Sequence, residues 1–165
     1  MREIFLGLLA SMTLIGASPV EPAAYEALVV PAPSAVVVRA DEEHALILDV
    51  NLIRTREGLP RVEVDEQLAK AARMHADDMA QRKYFGHNSP DGNSLPDRLA
   101  AVGFRWSVAA ENIAFDEDEA HANSALLHSA DHRANILDPR VRKIGVAVLG
   151  VGAGASLYVE DFAAL

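Results

Sequence analysis

Lys143-Ile144-Gly145-Val146-Ala147-Val148-Leu149 and Leu157-Tyr158-Val159-Glu160-Asp161-Phe162 flank the glycine-rich stretch Gly150-Val151-Gly152-Ala153-Gly154-Ala155-Ser156. Two runs rich in β-branched and aromatic residues, joined by turn formers, predict strands paired antiparallel across that loop. Everything upstream that shows a clear period shows the helical one. The class predicted is therefore α+β, with helices first and an antiparallel hairpin last.

The clearest helix begins after Asp65, a good N-cap. Leu68, Ala72, His75, Ala76 and Met79 fall at i, i+4, i+7, i+8 and i+11, one continuous stripe. Before it, Asp41-Glu42-Glu43 places acidic groups at the positive end of a helix dipole. Ala45, Leu48, Leu52 and Thr55 are expected on one face of that helix, with Gly58 and Pro60 ending it. Val62-Glu63-Val64 reads as a short extended link. Gly86-His87-Asn88-Ser89-Pro90-Asp91-Gly92 is dense in turn formers and reads as a loop. Ser94 caps a short helix, with Pro96 in the first turn, Asp97 reaching back from N3, and Gly103 as the stop. Residues 104–117 show no clear period. Residues 118–128 read as helix, and a further short segment to Leu137 ends before Pro139.

Ile4 to Ala17 is an apolar run that follows Arg2 and stops at Pro19. It is short for a hydrocarbon core and has the length of a signal-peptide apolar region. The expected organisation is a leader over residues 1–18, an anchor if uncleaved, with a buried N-terminal helix as the alternative. A Pro/Ala-rich linker follows over 19–40, holding Pro19, Pro22, Pro31 and Pro33, and the folded domain covers 41–165. Val36-Val37-Val38 remains open as an edge strand. The expected location is extracytoplasmic, secreted or periplasmic, with membrane contact only through the N-terminal segment.

The chain has 165 residues, a length suited to one domain, and a formal net charge of −9. That balance excludes a nucleic-acid binder, because a polyanion rewards clustered Lys and Arg. Cysteine is absent, which excludes disulfides, thiolate zinc sites and a cysteine nucleophile.

Six histidines are candidates for chemistry. His75 sits on the apolar stripe and reads as a satisfied core histidine. His44, His121 and His128 read as solvated. His87 lies in a loop, where side chains are presented. His132 belongs to the polar cluster Ser129-Ala130-Asp131-His132-Arg133-Ala134-Asn135. Glu111 stands between Ala109-Ala110 and Ile113-Ala114, and a buried carboxylate needs a partner. These three are 24 and 21 residues apart, with no HExxH spacing. Residue types alone yield two candidate histidines and one candidate acid.

Several segments form an ordered set: Asn51-Leu52-Ile53-Arg54 to Gly58-Leu59, His75-Ala76-Asp77-Asp78-Met79-Ala80, and Tyr84-Phe85-Gly86-His87 through Gly92. Asp97-Arg98, Gly103-Phe104, Glu111-Asn112-Ile113-Ala114, Ser129 to Leu137, and Ile144-Gly145-Val146-Ala147-Val148 continue it. Over residues 44–163 the chain resembles a bacterial CAP (SCP/PR-1-like) domain. The resemblance implies a three-layer α-β-α sandwich around a central antiparallel sheet. It also implies a cleft lined by two histidines and acidic residues, able to hold a divalent metal. By motif, His87 is the first cleft histidine, Glu111 the first acid and His132 the second histidine; Ser129 stands where eukaryotic members carry a second acid. Leu126 replaces a usual tryptophan, and Ala110 the glycine usual before the glutamate.

The resemblance therefore places His87, Glu111, Ser129 and His132 in a ligand cleft, with His87 and His132 as metal ligands. No cofactor is required; Zn2+ is the candidate. The first function class is an exported binding module for a lipid, cell-wall fragment, metal or protein partner. The second is a metal- or histidine-assisted hydrolase of peptides or wall material. There Glu111 would be the general base, and His87 with His132 would hold zinc or polarise substrate. Ser129 as a nucleophile suffers from its i,i+3 relation to His132 and the lack of an oxyanion loop. The third is a structural or stress-related exported protein. The missing acid at Ser129 weakens acid/base chemistry more than binding, so the expectation leans away from an enzyme.

Overall fold

The computed structural model describes residues 8–14, 26–27, 36–152 and 154–165. Strands β1 (Leu8–Leu14), β2 (Glu26–Ala27) and β3 (Val37–Val38) lead into helix α1 (Ala40–Arg56). Strand β4 (Glu63–Val64), helix α2 (Glu66–Arg82), strand β5 (Tyr84–Phe85) and helix α3 (Leu95–Ala101) follow. The chain closes with β6 (Val108–Asp116), α4 (Glu119–His128), α5 (Ala130–Ile136), β7 (Lys143–Gly152) and β8 (Ala155–Ala164).

The expected hairpin forms, and runs longer than the apolar runs at both ends. Gly152 and Gly154 turn it at φ of 96° and 79°, a conformation that suits residues without a Cβ. The sheet order is β1-β6-β8-β7-β3, antiparallel throughout, with β4 added parallel to β7. Successive side chains on a strand point to opposite faces. Ala110, Ala114, Ile144, Val146, Val148, Tyr158 and Phe162 therefore meet Leu46 and Val50 of α1, Ala122 and Leu126 of α4, and Ile136 of α5. Ala109, Ile113, Ala147, Leu149, Val159 and Ala163 meet α2 and α3 through Leu68, Ala72, Ala76, Met79 and Leu99. Helices cover both faces: a three-layer α-β-α sandwich.

α2 buries Leu68, Ala72, His75, Ala76 and Met79 as its stripe predicts, and Asp65 caps it by accepting from the Gln67 and Leu68 amides. A Cβ at Gly145 would overlap the Leu68 main-chain carbon, so the α2 backbone lies directly on β7. The Ser94–Asp97 capping box opens α3 as expected.

One expectation needs correction, and two segments can be added to the reading. α1 does not bury the Leu48/Leu52 face: those side chains are 49% and 47% exposed, while Leu46, Val50, Asn51 and Arg54 are buried. The reason is polar. Arg54 donates to Pro60 O (2.8 Å), Ile136 O (2.7 Å), Asp138 O (3.0 Å) and Val141 O (3.1 Å), tying α1 to the end of α5 and the approach to β7. Turning the leucines inward would leave those carbonyls unpaired. The unreadable stretch 104–117 contains β6. Lastly, described structure begins before Asp41. Leu8–Leu14, within the apolar run, is β1, paired with β6 from Leu8 opposite Phe115 to Leu14 opposite Ala109; of the readings of that run, the N-terminal helix is the one these residues do not form. The rest of the leader reading, residues 1–7 and 15–18, lies outside the described residues, as does most of the linker. Val37–Val38 does add an edge strand, against β7. Among the described residues no helix is long and apolar enough to cross a membrane.

Candidate functional site

Glu111 sits at the middle of β6 with no exposure, on the side covered by α2 and α3. Its Oε2 accepts from Arg98 Nη2 at 2.6 Å, and its Oε1 lies 2.8 Å from His87 Nδ1. His75 Nε2 stands 3.7 Å from the same Oε1. The stripe on α2 delivers His75. Arg98 comes from α3, and its Nη1 also donates to His87 O (3.1 Å) and Asn93 O (3.4 Å). One guanidinium thus holds both the Glu111 carboxylate and the loop that carries His87. That loop is braced at Ser89, whose amide donates to Asn93 O and whose Oγ donates to Asp91 Oδ1.

Burial alone would raise the Glu111 pKa. His75, the Arg98 guanidinium and His87 outweigh it and hold the carboxyl well below the usual range. Burial pulls His75 down to about 4 against the opposing pull of Glu111, so this imidazole is neutral at neutral pH. Asp161 of β8 pairs with Glu111 across the strands and is fully buried. Burial, then the neighbouring Glu111 charge, pushes its pKa well up. The two carboxyls therefore carry one negative charge, set against Arg98.

The other face of the same strands holds a second polar group. Asn112 Nδ2 donates to Glu160 Oε2 (3.1 Å) and to His132 O (3.3 Å), and Asn135 Nδ2 donates to Asn112 Oδ1 (2.9 Å). Burial pushes Glu160 up to about 7. His132 is buried in this layer, on α5, and half-buried Ser129 precedes the helix, its carbonyl accepting from the Arg133 amide. The structure thus joins His87 to Glu111 and sets His132 and Ser129 in the layer across the sheet. Between α2 and the Ser89–Asn93 turn lies a cavity of about 190 Å³ lined by His75, Asp78, Arg82, Asp91, Asn93 and Arg98, among others.

The sequence pattern that defines the cysteine-rich secretory protein (CAP) family matches residues 48–162. The chain belongs to this family. The uncharacterized protein YkwD of Bacillus subtilis (strain 168) is 33% identical over 132 residues, which are 79% of this chain and 49% of that protein. Among solved structures, an extracellular protein containing an SCP domain from Bacillus anthracis matches with a TM-score of 0.69 at 33% identity, over 76% of this chain and 41% of that one. An outer surface protein from Borrelia burgdorferi shares the fold, with a TM-score of 0.74 at 18% identity, over 79% of this chain and 97% of that one. This CAP chain spans about half the length of the curated relative.

The zinc expected for a CAP cleft can be tested against these donors. Among the described residues no group of three or more His, Cys, Asp or Glu side chains is placed to hold a metal ion. His87 Nδ1 is engaged by Glu111, and His132 stands on α5, where its main-chain carbonyl accepts from Asn112. Among the described residues, fewer than the three or four converging donors of a zinc shell come together.

Residue-by-residue reading missed several members of the Glu111 cluster. His75 is in the core as expected, but it is also part of the Glu111 cluster. Arg98 had appeared only within a motif. Asp161 and Glu160 carried a usable signal: two adjacent acids inside an apolar strand place one carboxyl on each buried face.

Proposed function

We propose that this CAP chain is exported and acts as a binding module, taking a small polar fragment of peptide or cell-wall character in the α2-side cavity. The observation that carries the reading is the engagement of Glu111. One oxygen is bonded to His87, the other to Arg98, and the carboxyl is held far below the range of an effective base near neutral pH. A general base matched to its task would have a pKa near the working pH, so acid/base hydrolysis is poorly served. The cavity offers both charge signs, Asp78 and Asp91 with Arg82 and Arg98, plus Ser89 and Asn93. That lining suits a zwitterionic fragment better than an acyl chain. Export is supported by the leader-like N-terminus and by similar structures described as extracellular or outer-surface proteins.

The test uses the full chain. Casein and peptidoglycan are expected to remain intact, while a muramyl dipeptide gives a saturable calorimetric signal that Asp78→Asn and Asn93→Ala weaken. Hydrolysis that disappears in His87→Ala and Glu111→Ala would overturn the reading in favour of the hydrolase.

A further inference from the structure

The outer edge of the sheet points to a second interaction. β6 pairs with β8 in unbroken register from Val108 opposite Ala164 to Asp116 opposite Ser156. A strand this long and regular is a hazard when its other side is bare, and proteins blunt such edges with proline, lysine or a bulge. β6 has none of these. Between Ala109 and Phe115 its one charged side chain is Glu111, which is turned inward onto Arg98. What covers the edge here is β1, seven apolar or hydroxyl residues paired along the whole of Ala109–Phe115, with Met12 opposite Glu111. β1 also lies beside α5, the helix of His132. In sequence it is separated from β3 by the stretch that carries Pro19, Pro22, Pro31 and Pro33.

We propose that Ala109–Phe115 is a strand-accepting edge: it holds the chain's own Leu8–Leu14 while that segment is attached, and an extended apolar peptide, antiparallel to β6, once that segment is gone. Backbone pairing supplies the affinity, and alternate side chains supply the choice of sequence. The timing of the vacancy rests on the export reading; the accepting edge itself does not.

Hydrogen exchange on the full chain tests this. Wild type is expected to protect the β6 amides that face β1. In an Ala10→Pro/Met12→Pro variant the same amides should exchange roughly tenfold faster or more, while β7 and β8 stay protected. A synthetic peptide of residues 8–14 with solubilising lysines should restore protection saturably, and its proline-substituted counterpart should not. Because the chain lacks cysteine, a Thr13→Cys/Ala110→Cys variant gives an independent readout at one cross-strand pair. Oxidation should form the disulfide and keep the β6 amides that face β1 protected, at or above the wild-type level; reduction should return them to that level. Equal exchange in wild type and variant, failure of the peptide to protect, or failure of the disulfide to form would overturn the proposal. The N-terminus of the exported protein, read by mass, decides the leader question separately: an intact terminus sinks that reading and leaves the edge result standing.

Discussion

Glu111 and Asp161 face each other across β6 and β8, both fully buried and both on the α2–α3 side of the sheet. Two like charges at paired strand positions in a dry layer are not tolerated together. The structure resolves the conflict by asymmetry. Arg98 and His87 hold Glu111 as the anion, and Asp161 keeps its proton.

That asymmetry fixes a pH dependence. Asp161 has a folded pKa above its unfolded value, so the native state binds the extra proton and stability falls as pH rises past the unfolded value. Asp161→Asn removes the effect. The variant should melt close to wild type near pH 4 and above it at pH 8, with the gap widening between. Equal melting temperatures across that range would show that Asp161 ionises without cost.

Arg98 is the cation that makes the arrangement stable. Arg98→Met leaves Glu111 as a buried, undercompensated charge and frees the His87 carbonyl, a loss of roughly 3–5 kcal/mol. Glu111→Gln in the same chain should recover much of that loss, since the stranded charge is gone. Urea denaturation of the two single variants and the double variant measures the coupling. Additive losses would mean that the pair does not act as a unit.

How much of this was legible beforehand follows the physics of each element. The β7–β8 hairpin, the α2 stripe and the Ser94 box are local signals, and the structure contains all three. β6 was not legible, because both of its faces are buried and the polar pair Glu111-Asn112 at its centre erases any alternation. The α1 face was misread because the helix carries a second apolar stripe, Leu46, Ile47, Val50 and Ile53, and Arg54, bonded to four carbonyls, lies with that stripe and turns it inward. For the candidate site, motif order named His87 and Glu111, which the structure places in contact. The partners Arg98, His75 and Asp161 come from three other elements and share no local spacing with them.

His75 should shape the acid limb of stability. Its folded pKa, pulled down to about 4, lies below its ordinary 6.5. The native state therefore resists a proton that the unfolded chain accepts, so stability is lost as pH falls from 6.5 toward 4, at up to about 1.4 kcal/mol per pH unit. His75→Gln removes that titration, and the difference from wild type should shrink on acidification across this window. A difference that stays constant from about pH 7 to about pH 5 would sink the assignment of His75 as a buried neutral imidazole.

Gly145 tests how closely the α2 layer lies on the sheet that presents Glu111. A Cβ there would overlap Leu68 C and Ala69 N, both backbone atoms, so no rotamer change relieves the contact. The whole helix must move, and with it His75. Overpacking of an interior costs about 1–3 kcal/mol when side chains can adjust; a rigid backbone contact belongs at or above the top of that range. Gly145→Ala should therefore lower stability by roughly 3 kcal/mol or more, and shift the His75 ring resonances in NMR. Gly154→Ala, where a Cβ meets nothing within 4 Å but φ is +79°, isolates the backbone term. It should cost about 1 kcal/mol and leave His75 where it is. If Gly145→Ala were the milder of the two, α2 would not rest on β7 at this point.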